Sequence, residues 1–441
     1  MVECTGPLIA KAWPRERLWR LLHGGASNSH YYNYSRSRPL VTLWRPAVLP
    51  RISRVEYFVV EARIRGVFRI AYSAASVSRS VVVKVVLEDG TIGFGEASPS
   101  KMVTWETIDS IGSYVGLVSG QLRGLSLPEE MGKALRVIHG YGLGFSSARA
   151  ALESAILDAV GKLFGVPVYN LLGGRVAERL VTDYTVSIPD LGVARDIAGR
   201  SGRGWELYAE TIEYIVGLRS KPPEEPPIPV PSIQGFNVLK VKVGTGDPLL
   251  DAQLVLAAYE ASRGRARIRV DANQAWSPKE AVRVIHRLEN TLGDALELVE
   301  QPVPAWNLEG LRYVKERVDV PIAADESARS PVEAARVAAM GAADVINIKI
   351  AKAGGPLQAA RIASLAEAHG LQVMWGCMAE TGLGIAQALH AALTSTATRY
   401  VDLDSPLFLE KDPARNSPRY RATAEGVTVE PAPGPGLATE I

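Results

Sequence analysis

Residues 266–276, ARIRVDANQAW, begin as a short β-rich run and end in polar groups, Asp271, Asn273 and Gln274. Short β-rich runs recur in LVTDYTVSI (180–188), NVLKVKV (237–243), LELVEQ (296–301), VPIAADE (320–326), ADVINIKI (343–350), LQVMWG (371–376) and RYVDLD (399–404). Ala/Leu/Arg-rich helical stretches lie between these runs. Eight short strands alternating with helices fit a closed parallel α/β barrel, and the span 178–404 is close to the roughly 250 residues typical of that fold. A doubly wound open sheet would be expected to carry G-x-G-x-x-G after its first strand, and none is present.

Between the first two runs, residues 204–236 read as an irregular surface insertion, because KPPEEPPIPVPS (221–232) holds six prolines and must be extended. Upstream, RVEYFVVEARI (54–64) and SVVVKVVLEDGTIGFGEA (80–97) are Val-rich alternating runs, with Asp89-Gly90 as a turn signal. A helical spacing of Ala150, Ile156, Val160 and Leu163 follows in 146–164. Residues 52–177 are therefore expected to form an α+β domain. The segment 405–441 is expected to return to it. Residues 1–51 hold three of the eight Trp, a Tyr cluster and no period, which reads as an appendage or as the product of an upstream start codon.

Composition narrows the function classes. The 441 residues are 47% hydrophobic and 22% charged, which excludes a disordered or collagen-like chain. Two cysteines, Cys4 and Cys377, cannot build a disulfide scaffold or a Cys-rich zinc site, so a reducing, cytoplasmic setting is expected. No apolar run reaches the roughly 18 residues of a membrane span. Residues 1–51 carry eight basic and two acidic side chains, leaving 41 basic against 45 acidic elsewhere, so no nucleic-acid partner is expected.

In such a barrel the polar residues at the C-terminal ends of the strands share one mouth. Asp271, Glu300 and Asp325 end three adjacent strands. Singly, each would read as a helix cap or surface ion pair, but together they form a set of hard oxygen donors suited to Mg²⁺. Alternation turns both Lys240 and Lys242 inward, where an unpaired ammonium is costly. Metal-bound carboxylates would be their partners, and lysine beside lysine is expected to lower the pKa from ~10.4 toward the ~7–8 of a general base. Lys349, within the apolar run INIKIA, lies across the barrel from Lys242, so a substrate between them meets one amine on each face. Lys352 reads as a surface or loop lysine.

The motifs KVKVG, RVDANQAW, LVEQPV, ADES, NIKIAKAGG and GCMAETGLGIAQALHAA, in this order, resemble the enolase superfamily in its muconate-lactonizing subgroup, from Ile52 to the C-terminus. The resemblance implies a (β/α)7β barrel, a modified TIM barrel, under an N-terminal α+β capping domain. It also implies Mg²⁺ on Asp271, Glu300 and Asp325 stabilising an enediolate, Lys242 and Lys349 as acid and base, and Lys240 in support. A His base after strand seven would mark the mandelate-racemase subgroup; here that end reads Trp375-Gly376-Cys377, and His286, His369 and His390 sit in helical stretches.

Within the subgroup, TDYTVSI, with Thr185, and the D-x-D of Asp402 and Asp404 resemble the dipeptide epimerases, in which the two aspartates hold the substrate's α-ammonium. Two inward acids opposite a cation site complement a zwitterion. The implied activity is 1,1-proton transfer at the Cα of the C-terminal residue of an L,L-dipeptide. Muconate cycloisomerisation and dehydration to o-succinylbenzoate are alternatives whose substrates carry no ammonium; a non-catalytic barrel serving as a scaffold is another. In the cap loop FRIAYSAASVSRS (68–80), family members selective for Ala-Glu have Arg where Ser73 stands, and Arg79 is six residues on. Phe68, Cys377, Met378 and Ala379 are expected to line an apolar pocket for neutral or hydrophobic side chains. A homo-oligomer is the expected assembly.

Overall fold

A computed structural model describes residues 49–140 and 144–441, so the appendage expected over 1–51 lies, up to residue 48, outside the described residues. Strands Ile52–Ile70 and Ser73–Leu87 pair antiparallel, and Ile92–Ala97 adds a third. Alternation sends Val81, Val83, Val85 and Leu87 into a core shared with helices Ile108–Leu122 and Ser146–Phe164. The small residues of the third strand let it rest on the second of these helices: a Cβ on Gly95 would stand 2.1 Å from the carbonyl of Ala151. Thr107 and Ser110 form a capping box that fixes the start of the first helix.

The stretch 68–80 is not a loop. The first two strands continue through it, with Phe68 opposite Ala75 and Ile70 opposite Ser73, so only Ala71 and Tyr72 turn the chain. This long hairpin tip reaches the barrel. Ile188 N donates to Arg69 O at 3.0 Å, Phe68 stacks on Phe408 with centroids 4.9 Å apart, and a Cβ on Gly244 would lie 2.5 Å from the Ala71 methyl.

Eight parallel strands follow in sequential order: Tyr184–Val186, Val238–Lys242, Arg267–Asp271, Leu296–Glu300, Ile322–Ala324, Val345–Ile348, Gln372–Gly376 and Thr398–Asp402. The first and last edges meet through Asp183 N to Val401 O at 3.2 Å and Leu403 N to Thr182 Oγ1 at 2.9 Å. Helices follow each of the first seven strands, whereas the eighth leads into a 3-10 turn, Ser405–Phe408, giving (β/α)7β.

The expected irregular insertion needs correction at its start. Gly202–Ile215 is a helix, buried through Tyr208, Ile212 and Ile215, so the non-helical part begins near Val216. The proline-rich run is packed rather than loose: Ile228 is buried, Pro229 O accepts from Tyr184 Oη at 2.8 Å, and Ser232 N bonds Leu407 O. After the barrel, the hairpin Arg419–Thr423 and Gly426–Glu430 pairs with Leu180–Thr182. The chain then reaches the cap, where Leu437 N donates to Asp158 Oδ1 at 2.7 Å.

Candidate active site

Inside the barrel, one layer below the mouth, Leu298, Ala323, Val345, Met374 and Tyr400 pack together. Side chains two positions along a strand share a face, so the next layer up consists of Glu300, Asp325, Asn347, Gly376 and Asp402. The four side chains in this layer are buried. Gly376 leaves the room they need: a Cβ there would lie 2.6 Å from Asn347 Oδ1 and 3.0 Å from Lys349 Cε.

Lysines from strands two and six interleave with these acids. Lys242 Nζ is 2.5 Å from Asp271 Oδ2, and Lys349 Nζ is 2.8 Å from Asp325 Oδ2. Lys240 Nζ lies 2.6 Å from Asp402 Oδ2, 2.8 Å from Glu300 Oε2 and 3.3 Å from Asp271 Oδ2. Each acid is also gripped by its other oxygen. Asp271 Oδ1 accepts from Asn273 N at 2.9 Å, Glu300 Oε1 from Asn347 Nδ2 at 2.6 Å, and Asp325 Oδ1 from Lys352 Nζ at 2.5 Å.

The second oxygens tell what the set can hold. Glu300 Oε2 and Asp325 Oδ2 are buried and, although close to ammonium groups, have no well-aligned hydrogen bond among the described residues. Three carboxylates, each fixed on one side and aimed inward on the other, fit a hard cation such as Mg²⁺. Ammoniums are drawn between these acids, and among the described residues the possible ligand atoms that do converge, within 4.8 Å of one another, are those of Cys377, Asp402 and Asp404. That group mixes a thiol with two acids, and Asp402 is already bonded to Lys240, so the donor chemistry favours the first set for Mg²⁺.

At Lys240 the charge arrangement does the opposite of the expected lowering. Burial pushes Lys240 down, but Asp402, Glu300 and Asp271 outweigh it and hold the ammonium well above the ordinary range. Lys349 is raised in the same way, by Asp325 against burial. Among the acids, burial pushes Asp325 up, yet Lys349 and Lys352 overcome it and hold the carboxyl well down. Burial and Asp271 together raise Glu300 to about 7.

At the opposite side of the mouth the balance is different. Thr185 Oγ1 donates to Asp402 Oδ1 at 3.1 Å, and Thr185 N donates to Asp404 Oδ2 at 2.6 Å. Asp402 has Lys240 and is held well down despite burial, whereas burial and the Asp402 charge push Asp404 up to about 7. Cys377 Sγ lies 3.8 Å from Asp404 Oδ1, and its thiol is raised by burial and both acids. Below, Arg269 bonds Asp183 Oδ2 at 2.7 Å and Val401 O at 2.9 Å, fastening strand three to the barrel closure.

The other residues expected at the site divide. Cys377, Met378 and Ala379 are half-buried in the loop after strand seven, and Ala379 O accepts from Ser78 Oγ of the cap at 2.5 Å. Phe68 is engaged in its stack on Phe408, Ser73 is exposed, and Arg79 is paired outward with Glu61 at 2.8 Å. Sequence reasoning missed four residues. Lys352, expected at the surface, is buried with Asp325; Asn347 orients Glu300; Glu326, raised to about 8 by burial and Asp325, accepts from Asn273 Nδ2 at 3.3 Å. Tyr72, in the cap turn, has its hydroxyl pKa raised by burial and by Glu326, with Lys349, Asp325 and Asp271 also in range. Position within INIKIA and ADES could have flagged Asn347 and Glu326, which share runs with chosen residues.

Paired lysines facing strand-end carboxylates, in a (β/α)7β barrel beneath an α+β cap, define an enolase-type protein. The chain belongs to the mandelate racemase/muconate lactonizing enzyme family: residues 54–173 match its N-terminal domain, and residues 232–441 match the enolase C-terminal domain-like model. It is 35% identical to the L-Ala-D/L-Glu epimerase of Clostridium acetobutylicum over 78% of this chain and 87% of that protein. Among solved structures, the substrate-liganded L-Ala-D/L-Glu epimerase of Bacillus subtilis superposes with a TM-score of 0.76 at 34% identity, covering 88% of this chain and 98% of that one. The dipeptide epimerase of Enterococcus faecalis, complexed with Mg and L-Leu-L-Tyr, gives 0.73 at 32% identity, covering 89% and 100%.

Proposed function

We propose that this chain is an Mg²⁺-dependent dipeptide epimerase that moves a proton at the Cα of the C-terminal residue of an L,L-dipeptide. The observation that carries the reading is the division of the mouth: lysines from strands two and six flank the three-carboxylate set, while Asp402 and Asp404 form an acid pocket across from it. Named relatives that are dipeptide epimerases, one of them holding Mg and a dipeptide, support it.

Asp271, Glu300 and Asp325 would hold Mg²⁺. When bound, the ion acts as a Lewis acid on the substrate carboxylate and makes the Cα proton removable. Lys242 Nζ removes or delivers that proton on one face, and Lys349 Nζ does so on the other, so inversion follows when one accepts and the other donates. Lys240, bonded to three acids at once, keeps positive charge fixed beneath the substrate. Asp402 and Asp404 take the α-ammonium, with Thr185 fixing both carboxylates. The side chain of the epimerised residue extends toward the cap tip and residues 377–379, which favours neutral or hydrophobic residues.

The test is a dipeptide library incubated with Mg²⁺-loaded enzyme in D₂O and read by mass spectrometry. Deuterium should enter at a single Cα, and chelation should stop it. No incorporation into any free-amine dipeptide would overturn the reading.

A further inference from the structure

We propose that Lys352 is a positioning residue of the cation site, deciding which oxygen of Asp325 faces inward and tying barrel strand five to strand six. The inference rests on the Mg²⁺ reading given above. Lys352 is 2% exposed, and its ammonium meets three acceptors: Asp325 Oδ1 at 2.5 Å, Asp325 O at 2.7 Å and Asn347 O at 2.6 Å. An ammonium has three protons and no acceptor capacity, so this side chain is fully used within the protein. It cannot also serve as an acid or base without breaking one of these bonds.

The three acceptors place it between two of the proposed ligands. Asp325 is held directly. Asn347, whose carbonyl Lys352 binds, turns its amide to Glu300 Oε1 at 2.6 Å. With Oδ1 occupied by Lys352, Asp325 presents Oδ2, the oxygen that meets Lys349 and is otherwise unbonded. The local fold is built for this return. A single helical turn, Ile350–Ala353, follows Lys349 and ends at Gly354 with φ 96°, carrying Lys352 back to Asp325. The cap braces the same turn: a Cβ on Gly355 would lie 2.3 Å from Glu153 Oε1, which accepts from Leu357 N at 2.7 Å.

Removing Lys352 has two effects of opposite sign on a cation. Loss of a positive charge beside Asp325 by itself tightens Mg²⁺ binding. Loss of the anchor lets the carboxylate turn and weakens it; partners of metal ligands are typically worth about 10- to 100-fold in affinity. The positioning role requires that the second effect win, so the sign of the change separates it from a purely electrostatic role.

The experiment is calorimetric titration of Mg²⁺ into chelator-stripped, full-length wild type, Lys352→Met and Lys352→Gln, with thermal melts in chelator alongside. The expected result is an Mg²⁺ Kd at least about 10-fold higher in both variants than in wild type. Unchanged or tighter binding overturns the inference, as does a lowered melting temperature with an unchanged Kd, which would assign Lys352 to stability alone. If Lys352→Met does not fold, Lys352→Gln, which keeps an amide donor, carries the comparison. Wild type that fails to bind Mg²⁺ overturns the metal reading itself; wild type that binds alongside unaltered variants overturns this inference alone.

Discussion

The two sides of the barrel mouth are built from the same residue types and carry opposite local balances. Across strands two to six, Asp271, Glu300 and Asp325 are answered by Lys240, Lys242, Lys349 and Lys352. Across strands eight and one, Asp402 shares Lys240, but Asp404 meets Thr185 and the Cys377 thiol and no ion pair among the described residues, and it rises to about 7. Buried acids without a cation are costly; on the first side ammoniums pair with each of the three acids although Glu300 still rises to about 7, whereas Asp404 has no ammonium bonded to it. On the proposed reading, the first side would exchange ammonium contacts for a dication, and at Asp404 the second would take its positive charge from a substrate ammonium. A zwitterion with separated charges satisfies both.

The largest effect tests the first side. Lys242→Ala and Lys349→Ala should each reduce epimerisation by about 10²-fold or more, the usual loss on removing a positioned acid or base. Each variant should still exchange the Cα proton of one stereoisomer with D₂O, through the remaining lysine. Full epimerisation by either variant, followed by chiral chromatography, would break the division of labour between strands two and six.

The second side has a pH signature. A free-enzyme group with a pKa of about 7 that must be charged to bind an ammonium makes kcat/KM fall as pH drops below 7, because Asp404 then takes up a proton. Asp404→Asn should lose that acidic limb and lower the plateau about 10- to 100-fold for free-amine dipeptides, the worth of a hydrogen bond to a charged group. N-acetylated dipeptides, which lack the ammonium, should be poor substrates of wild type and little changed by the variant. A limb that survives in Asp404→Asn would assign it to another group, Glu300 being the other strand-end acid raised to about 7, and the asymmetry of the mouth would then lie elsewhere.

Both sides were legible in sequence to the extent that strand alternation is local. A period of two fixes the direction of Asp271, Glu300, Lys240, Lys242 and Asp402 once the strands are found. Residues beyond a strand end follow no such rule. Lys352 is buried because a one-turn helix and two glycines fold it back, which a three-residue offset from Lys349 does not reveal. The helix Gly202–Ile215 was hidden by the glycines opening it and the prolines soon after it, although Tyr208, Ile212 and Ile215 carry its buried face. The cap tip reads as a loop because its residues, from Ser73 to Ser76, are small and exposed, so no burial alternation marks the strands there.

The smallest expected effect concerns what neither side holds, the substrate side chain. On the proposed reading, Ser73 at the cap tip stands where an arginine would pair with an acidic side chain, and Arg79 is paired across the hairpin with Glu61 in solvent. L-Ala-L-Glu should therefore be a poorer substrate than dipeptides ending in a neutral or hydrophobic residue. Introducing the cation by Ser73→Arg should raise kcat/KM for L-Ala-L-Glu relative to a neutral dipeptide. Because Ser73 is exposed, solvent screens the new pair, and about 1 kcal/mol, roughly five-fold, is the gain to expect. That gain should shrink with added salt, as exposed charge pairs do. Steady-state kinetics on a matched dipeptide pair at two ionic strengths measures both. A wild-type preference for L-Ala-L-Glu would mean that another cation under the cap already fills the role, and Ser73→Arg would then add nothing.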